Sequence, residues 1–181
     1  MRVFLLLVVM SAFSIPAFAQ EVISKQAVTQ YLDEMAALYT ADQVDYAAVG
    51  RFLEARIDDN APIVMRFQTN DESAQEVKEF TRQEMLDLNS QTVMDTLESQ
   101  GRYRLHRINY DEELGTSVII YTFWHDSKIR KTIEDGNKAI LEHRMKANCQ
   151  EFVRLDADML KVFGSDCNIE VFYDKPYLEA P

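Results

Sequence analysis

The spacing of apolar residues changes once along this chain, and the change falls at Gly101. Before it, apolar positions recur every three or four residues, the period of an amphipathic helix. After it they alternate, the period of a strand with one buried face. A chain whose helices come first and whose long strands follow does not read as alternating βαβ units. The order predicts an α+β domain, with three N-terminal helices packed on a strongly curved antiparallel sheet.

Ser24 is placed to cap a first helix whose apolar stripe is Val28, Tyr31, Leu32, Met35, Leu38 and Tyr39. A shorter second helix presents Tyr46, Val49, Phe52 and Leu53, and Pro62 to Phe67 reads as a short strand. Asn70 is the next candidate cap. The pattern then predicts a long third helix from Ser73 to Glu98, carrying Val77, Phe80, Leu88, Val93 and Leu97, with a break near Asn89-Ser90 and Gly101 as its terminator. Tyr103–Tyr110 and Ser117–Trp124 form a hairpin around Asp111–Gly115. Asp126 to Lys138 is charged, with a turn at Gly136. Ile140–Leu155 and Leu160–Tyr173 are the last two strands, joined by Asp156-Ala157-Asp158.

The first 19 residues, MRVFLLLVVMSAFSIPAFA, have a basic start at Arg2, an unbroken apolar run from Val3 to Met10, and Ala17-Phe18-Ala19 with small residues at −3 and −1. That is a secretory signal peptide, expected to be cleaved before Gln20. Pro16 interrupts the run too early for a membrane anchor, which needs about 20 apolar residues. Residues 20–181 are then expected to form one soluble domain in a bacterial periplasm. Of the 181 residues, 19 are basic and 30 acidic, a net charge of −11. Removing the signal takes away Arg2 and no acid. An acidic protein meets phosphate with repulsion, so nucleic acid is not an expected partner.

Cys149 and Cys167 are the only cysteines. An even count in an exported chain points to a disulfide. The register that sets Asp156 opposite Leu160 also sets Cys149 opposite Cys167, and with them Val153 opposite Phe163, Ala147 opposite Ile169 and Met145 opposite Val171. The alternate residues Glu142, Arg144, Lys146 and Asn148 are polar. A redox dithiol would use C-x-x-C spacing at a helix N-terminus. A metal site would need more ligands than two cysteines and three scattered histidines supply. No metal and no cofactor are expected.

The element order resembles the nuclear-transport-factor-two-like (ketosteroid-isomerase-like) cone-fold superfamily. The matching stretches are SKQAVTQYLDEMAALYTADQVDYAAVGRFLEARI, the strand APIVMRF, and the tail from GRYRLHRINYDEELGTSVIIYTFW to CNIEVFYD. The resemblance implies an α-helical hairpin, a short strand and a third helix set against a curved sheet. It does not imply one activity, because the superfamily contains isomerases, dehydratases, cyclases, transport factors and exported proteins of unknown activity. The isomerases' Asp base and Tyr/acid oxyanion pair are not carried over onto residues of this chain.

Five residues are candidates for lining a ligand pocket. His143 shares a strand face with Leu141, Met145, Cys149 and Val153, stands opposite Tyr173, and has Glu151 on the same face. An ionisable group there reads either as a pocket acid or base with a shifted pKa or as a hydrogen-bonded His–Tyr pair near the sheet edge, with Glu151 partly solvated. The second reading is the expectation. His106 and Tyr121 are expected to face one another in the first hairpin, followed by Arg104 and Phe123; such a row lines a pocket or a homodimer's sheet face. His125 and Asp126 are adjacent and point to opposite faces, so they do not converge. No G-x-S-x-G, H-E-x-x-H or glycine-rich phosphate loop is present. Lys128-Ile129-Arg130-Lys131 reads as a solvated basic cluster. The expected function is therefore an exported, non-catalytic module binding a small apolar molecule or a protein partner. The alternative is a small isomerase, dehydratase or hydrolase using a pocket inside the cone.

Overall fold

A computed structural model describes residues 23–70, 75–91, 95–132 and 137–178. The expected signal peptide and cleavage site, Ser73, Val93 and the expected turn at Gly136 lie outside the described residues.

The first two helices, α1 (Lys25–Leu38) and α2 (Tyr46–Arg56), fall where the apolar stripes predict them. The Ser24 hydroxyl accepts from the Ala27 amide, and the Asp45 carboxylate accepts from Ala47 and Ala48, so each helix starts on a satisfied cap. The strands are β1 (Ile63–Thr69), β2 (Glu76–Phe80), β3 (Asp95–Asp111), β4 (Thr116–Thr132), β5 (Lys138–Asp156), β6 (Met159–Tyr173) and the two-residue β7 (Tyr177–Leu178). They form one sheet in the order β2-β1-β6-β5-β4-β3, with β7 against β5. Every pairing is antiparallel except β1 on β6.

Register shifts in β3 and between β5 and β6 add local bends to these long strands, and the sheet curls. Its concave face receives α1. Val28, Tyr31 and Leu32 pack there on Ile119, Tyr121 and Phe123 of β4, Ala147, Cys149 and Val153 of β5, and Val162, Cys167 and Ile169 of β6. A smaller cluster of Ile57, Ala61 and Ile63 carries Leu53, Phe80 and Met85 and closes one end.

The long third helix is not formed. Its first third is the edge strand β2, and only Arg82–Gln91 is helical, as α3. The start is a capping box that the wider pattern obscured: the Glu84 carboxylate accepts from the Thr81 amide at 2.7 Å, and the Thr81 hydroxyl accepts from the Glu84 amide at 3.2 Å. Val77 and Leu88, expected among the apolar residues of that helix, are 57% and 49% exposed. Leu97 already belongs to β3. Asn70 caps no helix; its side chain bridges the backbone N–H and C=O of Tyr173, fastening β1 to β6. Gly101 terminates nothing either. It lies inside β3, where a Cβ would stand 2.6 Å from the Ala36 carbonyl oxygen and 2.9 Å from the Tyr39 Cβ. The glycine is there so that the end of α1 can lie against the strand.

Cys149 and Cys167 are joined by a disulfide between directly opposed residues, with Cα atoms 4.2 Å apart. Ala147–Ile169, Met145–Val171 and His143–Tyr173 pair as expected. Val153, however, stands opposite Val162, not Phe163. The turn is the two residues Ala157 and Asp158, both at positive φ, one residue tighter than the sequence suggested. The register shift at Phe152/Val153 restores the expected pairing beyond it.

Candidate functional site

Inward-facing residues of β4, β5 and β6 form the floor of a cavity of about 290 Å³, and the helices form its roof. Its walls are apolar and rich in rings and thioethers: Phe52 from α2, Met65 and Phe67 from β1, Phe123 from β4, Met145 from β5. One acid interrupts them. Glu151 occupies an inward position of β5, between Ile119 of β4 and Ser165 of β6, and is 8% exposed.

The Tyr31 hydroxyl, from α1, donates to Glu151 Oε2 at 3.0 Å, and the Tyr121 phenol, from β4, lies beside the same carboxyl and favours its charged form. Both tyrosines are buried and their phenols are pushed well above the ordinary value, first by burial and then by the neighbouring Glu151 charge. Burial likewise pushes Glu151 up to about 7, against the opposing pull of the two hydroxyls. At neutral pH the cluster therefore holds two neutral phenols and a carboxyl near its own midpoint. Such a group can accept or release a proton, or bind a ligand's polar end, without leaving the pH range of the cell.

Arg56 closes the roof above this cluster. Its guanidinium lies 5.9 Å from the Tyr31 ring centre and 5.7 Å from that of Phe52, and it is ion-paired to Glu34. Its charge is thus matched on the helix side. Among the described residues no group of three or more His, Cys, Asp or Glu is placed to hold a metal ion.

No family model and no curated protein matches the chain. Solved structures do. A conserved protein from Planctomyces limnophilus superposes with a TM-score of 0.50 at 11% identity, over 84% of this chain and 96% of that one. A protein from Silicibacter pomeroyi described as NTF-2 like and of unknown function gives 0.46 at 11% identity, over 85% and 94%. A hexachlorocyclohexane dehydrochlorinase gives 0.45 at 9% identity, over 86% and 88%. Helix pair, β1–β2 hairpin, third helix and a curled sheet in which β1 lies parallel to the last long strand complete the pattern. This chain shares the fold of the Planctomyces limnophilus protein. The likeness is one of architecture.

Within this fold, the five candidate residues separate into three places. Glu151 and Tyr121 line the cavity. Glu151 is buried, not partly solvated as expected, because the roof supplied by α1 covers its strand face. His143 and Tyr173 face one another, with ring centres 5.3 Å apart, but lie farther along the concave face and outside the cavity lining. There His143 Nδ1 is 3.2 Å from the Ser127 hydroxyl, and its ring is 5.8 Å from that of His125. Burial lowers the His143 pKa, with Asp126 opposing. His125 is pressed down to about 4, first by burial and then by His143, and its Nε2 is 2.8 Å from the Ser99 hydroxyl.

His106 is on the outer face. The β3 register shift between Leu105 and Arg107 moves the pairing by one residue, so Leu105 stands opposite Tyr121 and Arg104 opposite Thr122. His106 Nε2 lies 2.8 Å from the Thr122 hydroxyl, which in turn donates to Asn148 Oδ1 at 2.9 Å. A bulge flips a side chain to the other face, and no composition signal marks this one. Sequence reasoning also missed Tyr31 and Arg56 as site residues. Tyr31 was read as part of a helix's core stripe. The signal available was its hydroxyl, since a buried phenol has to find a partner.

Proposed function

We propose that this chain is an exported binding protein whose cone encloses a small, mainly apolar molecule and holds that molecule's polar group at Glu151. The observation that carries the reading is a buried carboxyl, hydrogen-bonded to Tyr31 and beside Tyr121, in a mainly apolar cavity of about 290 Å³ that Arg56 and Ser165 also line. Concave apolar pockets with few convergent polar groups are the usual form of small-molecule sites. Export is supported by the signal-like first 19 residues, and a disulfide is compatible with it. The test uses the neutral apolar fluorophore naphthylphenylamine with purified protein and with Ala147→Phe, which fills the cavity floor. Saturable one-to-one binding that the substitution abolishes, with thermal unfolding still cooperative, is the expected result. Equal binding by both proteins, or none by the parent, overturns the reading.

A second reading rests on Glu151 alone. A carboxyl at about 7 beside two phenolic donors has the composition of a proton-transfer site, in which the carboxyl moves a proton and the phenols stabilise a developing oxyanion. On that reading Glu151→Gln retains the fluorophore and loses turnover by about 10²–10⁴-fold. His143→Gln, outside the cavity, keeps both.

A further inference from the structure

We infer that the ligand of the cone is a small hydrophobic amine, bound as its ammonium ion against the Glu151 carboxylate. This rests on the cavity being the binding site, and it adds the chemical class of the occupant.

Three observations converge on a cation. First, Glu151 is a buried acid to which no Lys, Arg or His is paired among the described residues; its partners are the hydroxyls of Tyr31 and Tyr121. The nearby Arg56 is bound to Glu34 instead. A carboxylate removed from water without a counter-charge is unfavourable, and a ligand that brings the charge relieves that directly. Second, the Tyr31 hydroxyl donates to the carboxyl and the Tyr121 phenol stands beside it, an arrangement that favours the anionic form and leaves acceptor lone pairs for an N–H donor. An anionic ligand would meet repulsion there, and a neutral one would leave the charge uncompensated. Third, the walls carry aromatic rings beyond the two that Arg56 already covers. The Arg56 guanidinium lies over the faces of Tyr31 and Phe52, and further rings, Phe67 and Phe123, line the same space with the thioethers of Met65 and Met145. Aromatic faces attract positive charge, and desolvation strengthens the attraction. A net charge of −11 raises the local concentration of cations around the whole protein.

The groups facing Glu151 are Tyr31 and, beyond it, Arg56 from the helices, Tyr121 from β4 and Ser165 from β6. Both phenols are pushed well above their ordinary value, so the pH response of amine binding between pH 6 and 8 reports Glu151. Its sign is fixed. The ammonium binds the carboxylate, the protonated acid has to lose its proton first, and amine affinity rises with pH through this range.

The experiment compares phenethylamine with phenethyl alcohol, which has the same apolar body and no charge, as competitors of naphthylphenylamine. For the unmodified protein at pH 8, the amine is expected to bind about tenfold or more tightly than the alcohol. At pH 6 amine affinity falls by about tenfold while that of the alcohol stays level. In Glu151→Gln the preference for the amine over the alcohol disappears. Alcohol binding equal to or tighter than amine binding at pH 8 overturns the amine inference and leaves the cavity as a site for neutral apolar molecules. Failure of both compounds and of the fluorophore overturns the binding reading itself. The pH series on unmodified protein decides the matter should Glu151→Gln not fold.

Discussion

Glu151 and His125 lie on the same concave face, and burial pushes them in opposite directions. Glu151 rises from 4.5 to about 7, and His125 falls from 6.5 to about 4. Between about pH 4.5 and 6.5 the folded protein holds both groups neutral, whereas the unfolded chain holds both charged. The linkage signs are opposite. The folded pKa of Glu151 is raised, so its contribution is fully present below pH 4.5 and is lost as pH rises through 7. The folded pKa of His125 is lowered, so its contribution is present above pH 6.5 and is lost as pH falls through 4. Each amounts to roughly 3 kcal/mol over its window, and in the unmodified protein they largely cancel. Substitution is expected to expose the remaining partner. Relative to the parent, Glu151→Gln gains stability as pH rises from 4.5 to 7, and His125→Gln gains stability as pH falls from 6.5 to 4. Denaturant titrations across pH 4 to 8 measure both slopes. Parallel profiles for parent and variants would mean that neither group is held neutral in the fold.

Elements are positioned by contacts that their own residues announce unequally. Ser24 and Asp45 cap α1 and α2 from within the local sequence, and both helices were legible. The segment from Ser73 to Gln91 was not, because a five-residue edge strand such as β2 has too few positions to establish a period of two. Val77 and Phe80, three apart, mimic a helical face. The capping box Thr81-x-x-Glu84 was the usable local mark. Gly101 depends on a neighbour distant in sequence, since its missing side chain makes room for the Ala36 carbonyl. Gly101→Ala is therefore expected to destabilise the protein by about 1–3 kcal/mol, as overpacking does. A hydrogen-exchange profile should show the loss concentrated in the last turn of α1 and the middle of β3. An unchanged melting temperature would mean that this contact yields freely.

At the scale of the molecule, the curled sheet is held by long-range pairings, and the disulfide acts on it chiefly through the unfolded chain. Cys149 and Cys167 are 18 residues apart, and closing a loop of that size restricts the unfolded ensemble. Cys167→Ser is expected to lower stability by about 2–4 kcal/mol, read as a shift in denaturation midpoint. Loss of the same size in reducing buffer for the parent, and none for the variant, would assign it to the cross-link. Identical midpoints for oxidised parent and variant would refute it.

The α+β class, the first two helices with the Ser24 cap, and the shared strand face of Cys149 and Glu151 are written in local pattern, because a period of 3.6 or of 2 is a property of neighbouring residues. The site was legible only in part. Glu151 and Tyr121 could be assigned to strand faces from parity, but what covers a face is another element. Only the packing of α1 across the sheet brings the Tyr31 hydroxyl to Glu151 and removes water from both. The same holds where parity itself fails. One extra residue at Leu105/Arg107 sends His106 to the outer surface, and one at Phe152/Val153 rescues a disulfide register drawn from the wrong turn length. A bulge is chosen by the curvature that the whole sheet adopts, and that curvature depends on contacts no single strand contains.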